Sequence, residues 1–358
     1  MTQLKRFQQA LKKGDADAAL VSSEINQRYL SDFDYSDGYI VISPTEAYLF
    51  TDSRYIEAAR ASVTDFEIIK PDGGMLDAVA SLFADKGYKK VIFEESSLSV
   101  ASLESFKAKI KNGCQLCSGA SKILFEQRKI KLDYEIERIE KAQELTDMAF
   151  EHILSFISLE RTEKDVALEL EFFMRSHGAE ATAFDTIAVS GSASSLPHGV
   201  PSDVKLRRGF LTMDFGAKYK GYCSDMTRTV VIGKVDTEMK TVYETVLKAQ
   251  KTALDGMHSG MLCSAADALA RDVIEKAGFG AAFGHSLGHG VGTYIHEGPS
   301  LSPKAASDSL LQCGNVVTVE PGIYLEGRFG CRIEDMVLIN ADGSIHNFTK
   351  SPKELIEF

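Results

Sequence analysis

In the first third of the chain, short apolar runs of strand length alternate with segments whose apolar residues recur every three or four positions. Residues 17–22, 38–42, 47–51, 66–69 and 90–94 have the length and the β-branched and aromatic content of strands. Residues 1–20 read as an amphipathic helix with Lys5, Arg6, Lys12 and Lys13 on its wet face, and 55–61, 75–86 and 98–111 carry helical spacing. Alternating elements of this kind predict a self-contained α/β domain, placed at 1–125. A polar stretch at 119–131 then leads into one long helix over 132–157, on which Ile136, Ile139, Met148, Ile153 and Phe156 share a face.

Beyond it the texture changes. A Thr162-Glu163-Lys164-Asp165 capping pattern opens a helix over 162–177, and Gly178 closes it. Strands follow at 186–190, 210–217 and 222–232, helices at 237–258 and 265–277, and strands again at 316–320 and 331–339. Strands and helices grouped in separate runs predict an α+β domain with an antiparallel sheet over 126–358.

A chain of 358 residues suits two domains, and 40 Lys and Arg against 51 Asp and Glu give a net charge of −11. No basic cluster relieves that balance, which argues against nucleic acid or an anionic membrane as partner. No apolar run reaches membrane-spanning or signal-peptide length, so a cytoplasmic protein is expected. The six cysteines are scattered and read as reduced thiols; Cys114-Gln-Leu-Cys117 has no second pair and no nearby histidine.

The acidic residues become informative where they interrupt apolar strands. Asp214 and Asp225 flank Lys218–Gly221, and a simple hairpin turning between 219 and 220 would set them opposite each other on one face. Two carboxylates facing each other across a ladder repel. A cation would relieve that. A second pair, Glu320 and Glu334, is symmetric about Gly327; Glu334 has Arg332 nearby, so a purely structural salt bridge is the alternative there. Four of the eight histidines sit in glycine-rich surroundings: His198 in Leu-Pro-His-Gly, and His285, His289 and His296 within 284–299. Histidines on loops shaped by glycine suit ligation or proton transfer better than packing. Four carboxylates with imidazole favour hard divalent ions such as Mn(II), with Co(II) or Zn(II) also accommodated. Four negative charges balance two such ions, the usual complement for metal-assisted hydrolysis.

The order Asp214, Asp225, His289, Glu320, Glu334, set in Asp-Phe-Gly, Gly-Tyr-Cys-Ser-Asp, Gly-His-Gly-Val-Gly, Val-Glu-Pro-Gly and Arg-Ile-Glu-Asp, resembles the dimetal site of the pita-bread metallopeptidases. That family includes methionine aminopeptidase, aminopeptidase P and prolidase. The segment Phe50-Thr-Asp-Ser-Arg-Tyr55 resembles the extra N-terminal domain of the Xaa-Pro peptidases and creatinase, and unlike creatinase this chain keeps all five ligand positions. The resemblance implies an α/β creatinase/prolidase-like domain followed by an α+β pita-bread catalytic domain. It implies that Asp214 holds one metal, that His289 and Glu320 hold the other, and that Asp225 and Glu334 bridge both. Glu320 would also move the proton. His198 and His296 would contact substrate and the tetrahedral intermediate, His285 and Tyr324 would line the substrate pocket, and Arg332 would support the ligands from behind.

Ala193 and Met336 depart from residues common in relatives, without removing a ligand. Ser300 stands where several prolidases carry an arginine for the free carboxylate of a dipeptide. On that ground the expected activity is an Xaa-Pro aminopeptidase acting on proline-containing peptides. An Xaa-Pro dipeptidase is the alternative, and a non-catalytic binding module on the same fold a more remote one. A homodimer is the expected assembly.

Overall fold

The computed structural model describes residues 1–111 and 113–358, which form two compact units, Met1–Gln127 and Arg128–Phe358.

The first unit is built on a six-stranded mixed sheet in the order Glu67–Ile69, Ala47–Phe50, Tyr39–Ile42, Ala18–Val21, Lys90–Phe93, Gln115–Ser118. Ala18–Val21 runs antiparallel to Tyr39–Ile42 and parallel to Lys90–Phe93. Successive side chains leave opposite faces of the sheet. Ala19, Val21, Ile40 and Ile42 therefore pack with Leu4, Phe7 and Leu124, while Ala18, Leu20 and Val41 pack with Val79, Phe83 and Phe106. Helices cover both faces, which is why these strands read as unbroken apolar runs.

Three expectations need correction. The first helix is Gln3–Lys12, not 1–20; it stops at the exposed Lys13-Gly14-Asp15 stretch, and Ala18–Val21 is drawn into the sheet. A helix at Glu24–Ser31, capped by the Ser23 hydroxyl, escaped because its inward face carries the polar Asn26 and Gln27. The polar stretch at 119–131 is largely the helix Ala120–Lys129, whose Gln127 is buried and donates to the Gln3 carbonyl at 2.8 Å.

Among the described residues, the strands of the second unit pair antiparallel. Gly209–Phe215 lies between Met226–Ile232 and Ile187–Ser190. A second sheet runs Glu297–Leu301, Gly288–Gly290, Val316–Val319, Asp335–Ile339, Ile345–Asn347. Helices Asp133–Ile153 and Glu163–Ser176 pack Phe150, Ile153, Val166 and Leu170 onto Leu211, Met213 and Phe215. The expected capping box is present: the Thr162 hydroxyl accepts from the Asp165 N–H at 3.0 Å, and the Asp165 carboxylate accepts from the Thr162 N–H at 2.8 Å. Helices Thr237–Gly256 and Cys263–Lys276 meet through Val246, Ala249, Ala253, Ala266 and Ala270.

The two hairpins that carry the acidic pairs behave differently. The first turns at Lys220 and Gly221, both with positive φ (45° and 86°), the backbone a two-residue type I′ turn requires. Its midpoint lies one residue beyond the expected one. Asp214 is consequently opposite Thr227 and not Asp225. A slip of two positions preserves the face, whereas a slip of one would have inverted it. The second hairpin is centred on Gly327: Gly322 pairs with Arg332 and Val319 with Asp335, so Glu320 and Glu334 stand opposite each other where the ladder is broken by Pro321.

Candidate metal centre

In the strand Gly209–Phe215, Leu211, Met213 and Phe215 face the helices, so Asp214 projects from the other side together with Thr212. Thr227 and Thr229 share that side; the Thr212 and Thr229 hydroxyls are 3.1 Å apart. Asp225 precedes Met226 at the point where the hairpin is interrupted. His289 lies in Gly288–Gly290, a strand squeezed between two neighbours. A Cβ at 288 would stand 2.0 Å from the Thr318 carbonyl oxygen, and one at 290 would stand 2.1 Å from that of Gly298. Only glycine permits that approach.

These elements bring Asp225, His289 and Glu334 together, with one ligand atom from each lying within 4.8 Å of the others. His289 Nε2 is 3.3 Å from Glu320 Oε1 and 3.6 Å from Asp225 Oδ2. Its Nδ1–H donates to the Gly290 carbonyl at 3.1 Å, which leaves the Nε2 lone pair directed at the carboxylates. Thr318 accepts from the His289 N–H and donates to Glu320 at 3.1 Å, coupling two of the candidate ligands. Asp214 Oδ1 is buried with no hydrogen-bond partner.

Arg332 does not pair with Glu334. Its Nη2 donates to Asp214 Oδ2 at 2.6 Å and its Nε to the Thr227 hydroxyl at 2.9 Å; that hydroxyl in turn donates to Glu334 at 2.7 Å. The structural-salt-bridge alternative therefore gives way to a relay in which Arg332 supports two carboxylates, one of them through Thr227. Tyr324, expected on the pocket wall, is half-buried beside two residues that line the cavity. Its hydroxyl accepts from Arg332 Nη1 at 2.6 Å and donates to His285 Nε2 at 3.0 Å.

His198, His285, His289 and His296 line one cavity of about 490 Å³ with Asp214, Asp225, Glu320, Arg332 and Glu334. His198 and His296 are exposed, so neither is there to fill a core. Sequence reasoning missed the apolar part of the lining, Phe184, Ile187 and Ile295, because one strand-end residue and two loop residues share no period that marks them as neighbours. Thr227 and Thr318 were missed as well. Their only signal was position, each two residues from a candidate ligand along the chain.

Crowding sets the electrostatics. Burial, reinforced by Glu334, Asp214 and Glu320, holds the Asp225 carboxyl well above the usual range, and burial with Glu320 and Asp214 does the same to Glu334. Burial pushes Glu320 up to about 8 and His285 down to about 4, and it also lowers His289. Five carboxylates, Asp185 included, line the cavity with one guanidinium. An imidazole lone pair facing carboxylate oxygens, an orphaned buried carboxylate oxygen and carboxyls that resist ionisation are together what a divalent cation would relieve. The donor set, oxygen-rich with one imidazole, fits such ions.

An antiparallel α+β unit with a carboxylate–histidine centre in its cavity, joined to an α/β unit, defines a two-domain metallohydrolase architecture. Residues 137–341 match the model of metallopeptidase family M24, and residues 3–130 that of the creatinase/prolidase N-terminal domain. The Xaa-Pro dipeptidase of Pyrococcus furiosus is 35% identical over 355 residues, covering 99% of each chain. The Xaa-Pro dipeptidase structure from Bacillus anthracis superimposes with a TM-score of 0.94 at 42% identity over 99% of both chains. The X-Pro aminopeptidase structure from Thermotoga maritima gives 0.91 at 37% identity over 98% of this chain and 100% of that one. The chain belongs to metallopeptidase family M24, and its second unit has the pita-bread fold. Among the described residues, no helix is long and apolar enough to cross a membrane.

Proposed function

We propose that this protein is a dinuclear-metal Xaa-Pro dipeptidase that hydrolyses the bond before proline in Xaa-Pro dipeptides. The observation that carries the reading is end-to-end similarity to proteins named Xaa-Pro dipeptidases, combined with a complete carboxylate–histidine donor set in one cavity. Ser300 on its own favours longer peptides, but it is exposed and does not line the cavity, so the full-length similarity outweighs it. The aminopeptidase reading stands second, supported by the likeness to the Thermotoga maritima protein.

In this reading Asp214, Asp225, His289, Glu320 and Glu334 would hold two divalent ions, with Mn(II) favoured by the oxygen-rich set. Bound there, the ions would supply Lewis acidity at the scissile carbonyl and ease the deprotonation of water at neutral pH. Glu320, whose environment raises its pKa to about 8, is suited to accept a proton at Oε1 or Oε2 and return it to the proline nitrogen. His296, exposed and with its ring centre 4.4 Å from that of His289, would donate to the developing oxyanion. His198 orients the peptide.

Mn(II)-loaded enzyme should turn over Xaa-Pro dipeptides and leave Xaa-Pro-Yaa tripeptides nearly untouched. Equal or greater activity on the tripeptides would select the aminopeptidase. The histidines should separate binding from chemistry. His289→Ala is expected to lose metal and activity together. His296→Ala should retain both ions while kcat falls about 10²–10³-fold. Metal content and turnover measured on the same samples check both, and wild-type turnover in His296→Ala would remove the role given to it.

A further inference from the structure

The carboxylate of Glu297, next to His296, is buried, with 2% side-chain exposure, against Lys131 Nζ at 2.6 Å and Arg128 Nε at 3.3 Å. Lys131 is itself only 1% exposed. A buried carboxylate held by two cations is an expensive way to fill space, and apolar residues of the same volume would serve stability as well. What the cluster does fix is a loop.

Residues 291–297 leave the strand that carries His289 and return at Glu297–Leu301, and the loop is drawn in around that carboxylate. A Cβ at Gly292 would stand 2.3 Å from Glu297 Oε1, so the start of the loop lies directly against the anchor at its end. The Gly292 carbonyl accepts from the Cys223 N–H at 2.8 Å, and the Gly292 N–H donates to the Tyr294 carbonyl at 3.0 Å. The Arg128 guanidinium lies 4.7 Å from the centre of the Tyr294 ring. His296 has no such ties of its own. It is exposed, and among the described residues its ring makes no side-chain hydrogen bond, only the edge contact with His289. Where the His296 ring stands therefore depends on where the backbone at 296 is held.

We infer that Glu297 is a positioning residue: pinned by Lys131 and Arg128, it sets the place of the His296 imidazole over the metal centre. The inference rests on the substrate-contacting role proposed above for His296. Glu297→Asp tests it. The charge and both cations stay, but the side chain is one methylene, about 1.5 Å, shorter. The loop must then move toward Lys131 or the ion pair must open, and either displaces the imidazole. Misplacement on that scale can cost about 10²-fold in rate. The expected result is a fall of that size in kcat on an Xaa-Pro dipeptide, with KM little changed and both metals retained.

The loss should also pass through His296. In a His296→Ala background, adding Glu297→Asp should cost less than about twofold more, whereas an anchor that merely stabilises the fold would give additive losses. A second readout needs no turnover. In ¹³C-histidine-labelled protein, the His296 ring resonance, assigned by its disappearance in His296→Ala, should shift in Glu297→Asp while the His177 and His258 resonances stay. Should Glu297→Asp not fold, Glu297→Gln with Lys131→Met removes the charge pair together and is expected to give the same two results. An unmoved His296 resonance, or additive losses in the double variant, overturns the inference. Failure of the wild type to cleave Xaa-Pro dipeptides would instead sink the dipeptidase reading, with the resonance still deciding the role of Glu297.

Discussion

Glu334→Ala is expected to remove metal from both positions and to abolish turnover with it. Glu334 receives a hydrogen bond from the Thr227 hydroxyl at 2.7 Å, and its backbone is held as well: the Glu334 N–H donates to the Thr227 carbonyl at 3.1 Å, and its own carbonyl accepts from Arg228 Nη1 at 2.6 Å. Arg228 is buried and also pairs with Asp335 at 2.8 Å. The carboxylate is thus fixed before any ion arrives. Supporting residues around a metal are typically worth 10–100-fold in affinity or activity. If Glu334 binds both ions, as proposed, deleting it should exceed that range, and kcat/KM should fall by well over 10²-fold. Glu334→Gln separates charge from shape, because the amide oxygen can still accept from Thr227. It too should lose metal, since a neutral oxygen cannot replace the missing charge. Removal of Asp214, which already shares its other oxygen with Arg332, should loosen one ion more than the other. Elemental analysis of each variant after Mn(II) loading and desalting reads the outcome. Two ions retained per chain in Glu334→Ala would contradict its bridging role.

The sequence foretold the geometry around Glu320 and Glu334 better than that around Asp214 and Asp225, and the turns explain why. Gly327, with φ of 69°, sits at the centre of a symmetric acidic pair, so counting outward from the glycine finds the register. The first hairpin has a glycine too, but as the second of two left-handed residues; Lys220 is the other, and nothing in a lysine announces a positive φ. The acidic pair was still recognised, because a two-residue error leaves a strand's faces unchanged. Period-based reading failed where polar residues face inward. Asn26 and Gln127 sit in helices without a clean apolar stripe, and each has buried hydrogen-bond partners that the sequence does not show. It failed again at short strands such as Gly288–Gly290, where glycine, a poor strand former, is required by the approach of neighbouring backbones. Arg332 was seen near Glu334 along the chain, but its partner Asp214 lies 118 positions away and is set by tertiary structure alone.

Metal-free protein should lose thermal stability as pH rises through neutrality, the reverse of what acidic residues usually confer. Glu320 goes from its ordinary 4.5 to about 8 on folding, chiefly through burial, and Asp225 and Glu334 move in the same direction. Between the two values the folded state binds more protons than the unfolded one, so folding free energy is lost as pH climbs toward the folded pKa. His285 acts oppositely: burial lowers it from 6.5 to about 4, so the unfolded chain binds the extra proton between those values and stability gains with pH there. The two trends offset each other below about pH 6.5, and the carboxyls act alone above it. From pH 6.5 to 8, Glu320 by itself is worth about 2 kcal/mol. For a domain of this size that is a drop of roughly 5 °C in Tm. Divalent metal should cancel or invert the trend, because ligands must be deprotonated to bind and affinity therefore grows with pH. Calorimetric scans at pH 6.5 and 8, with chelator and with Mn(II), test it, and Glu320→Gln should flatten the chelated curve. A chelated protein whose melting temperature is level or rising over that interval would mean that the carboxyls are ionised without metal and that the cavity tolerates their charge by other means.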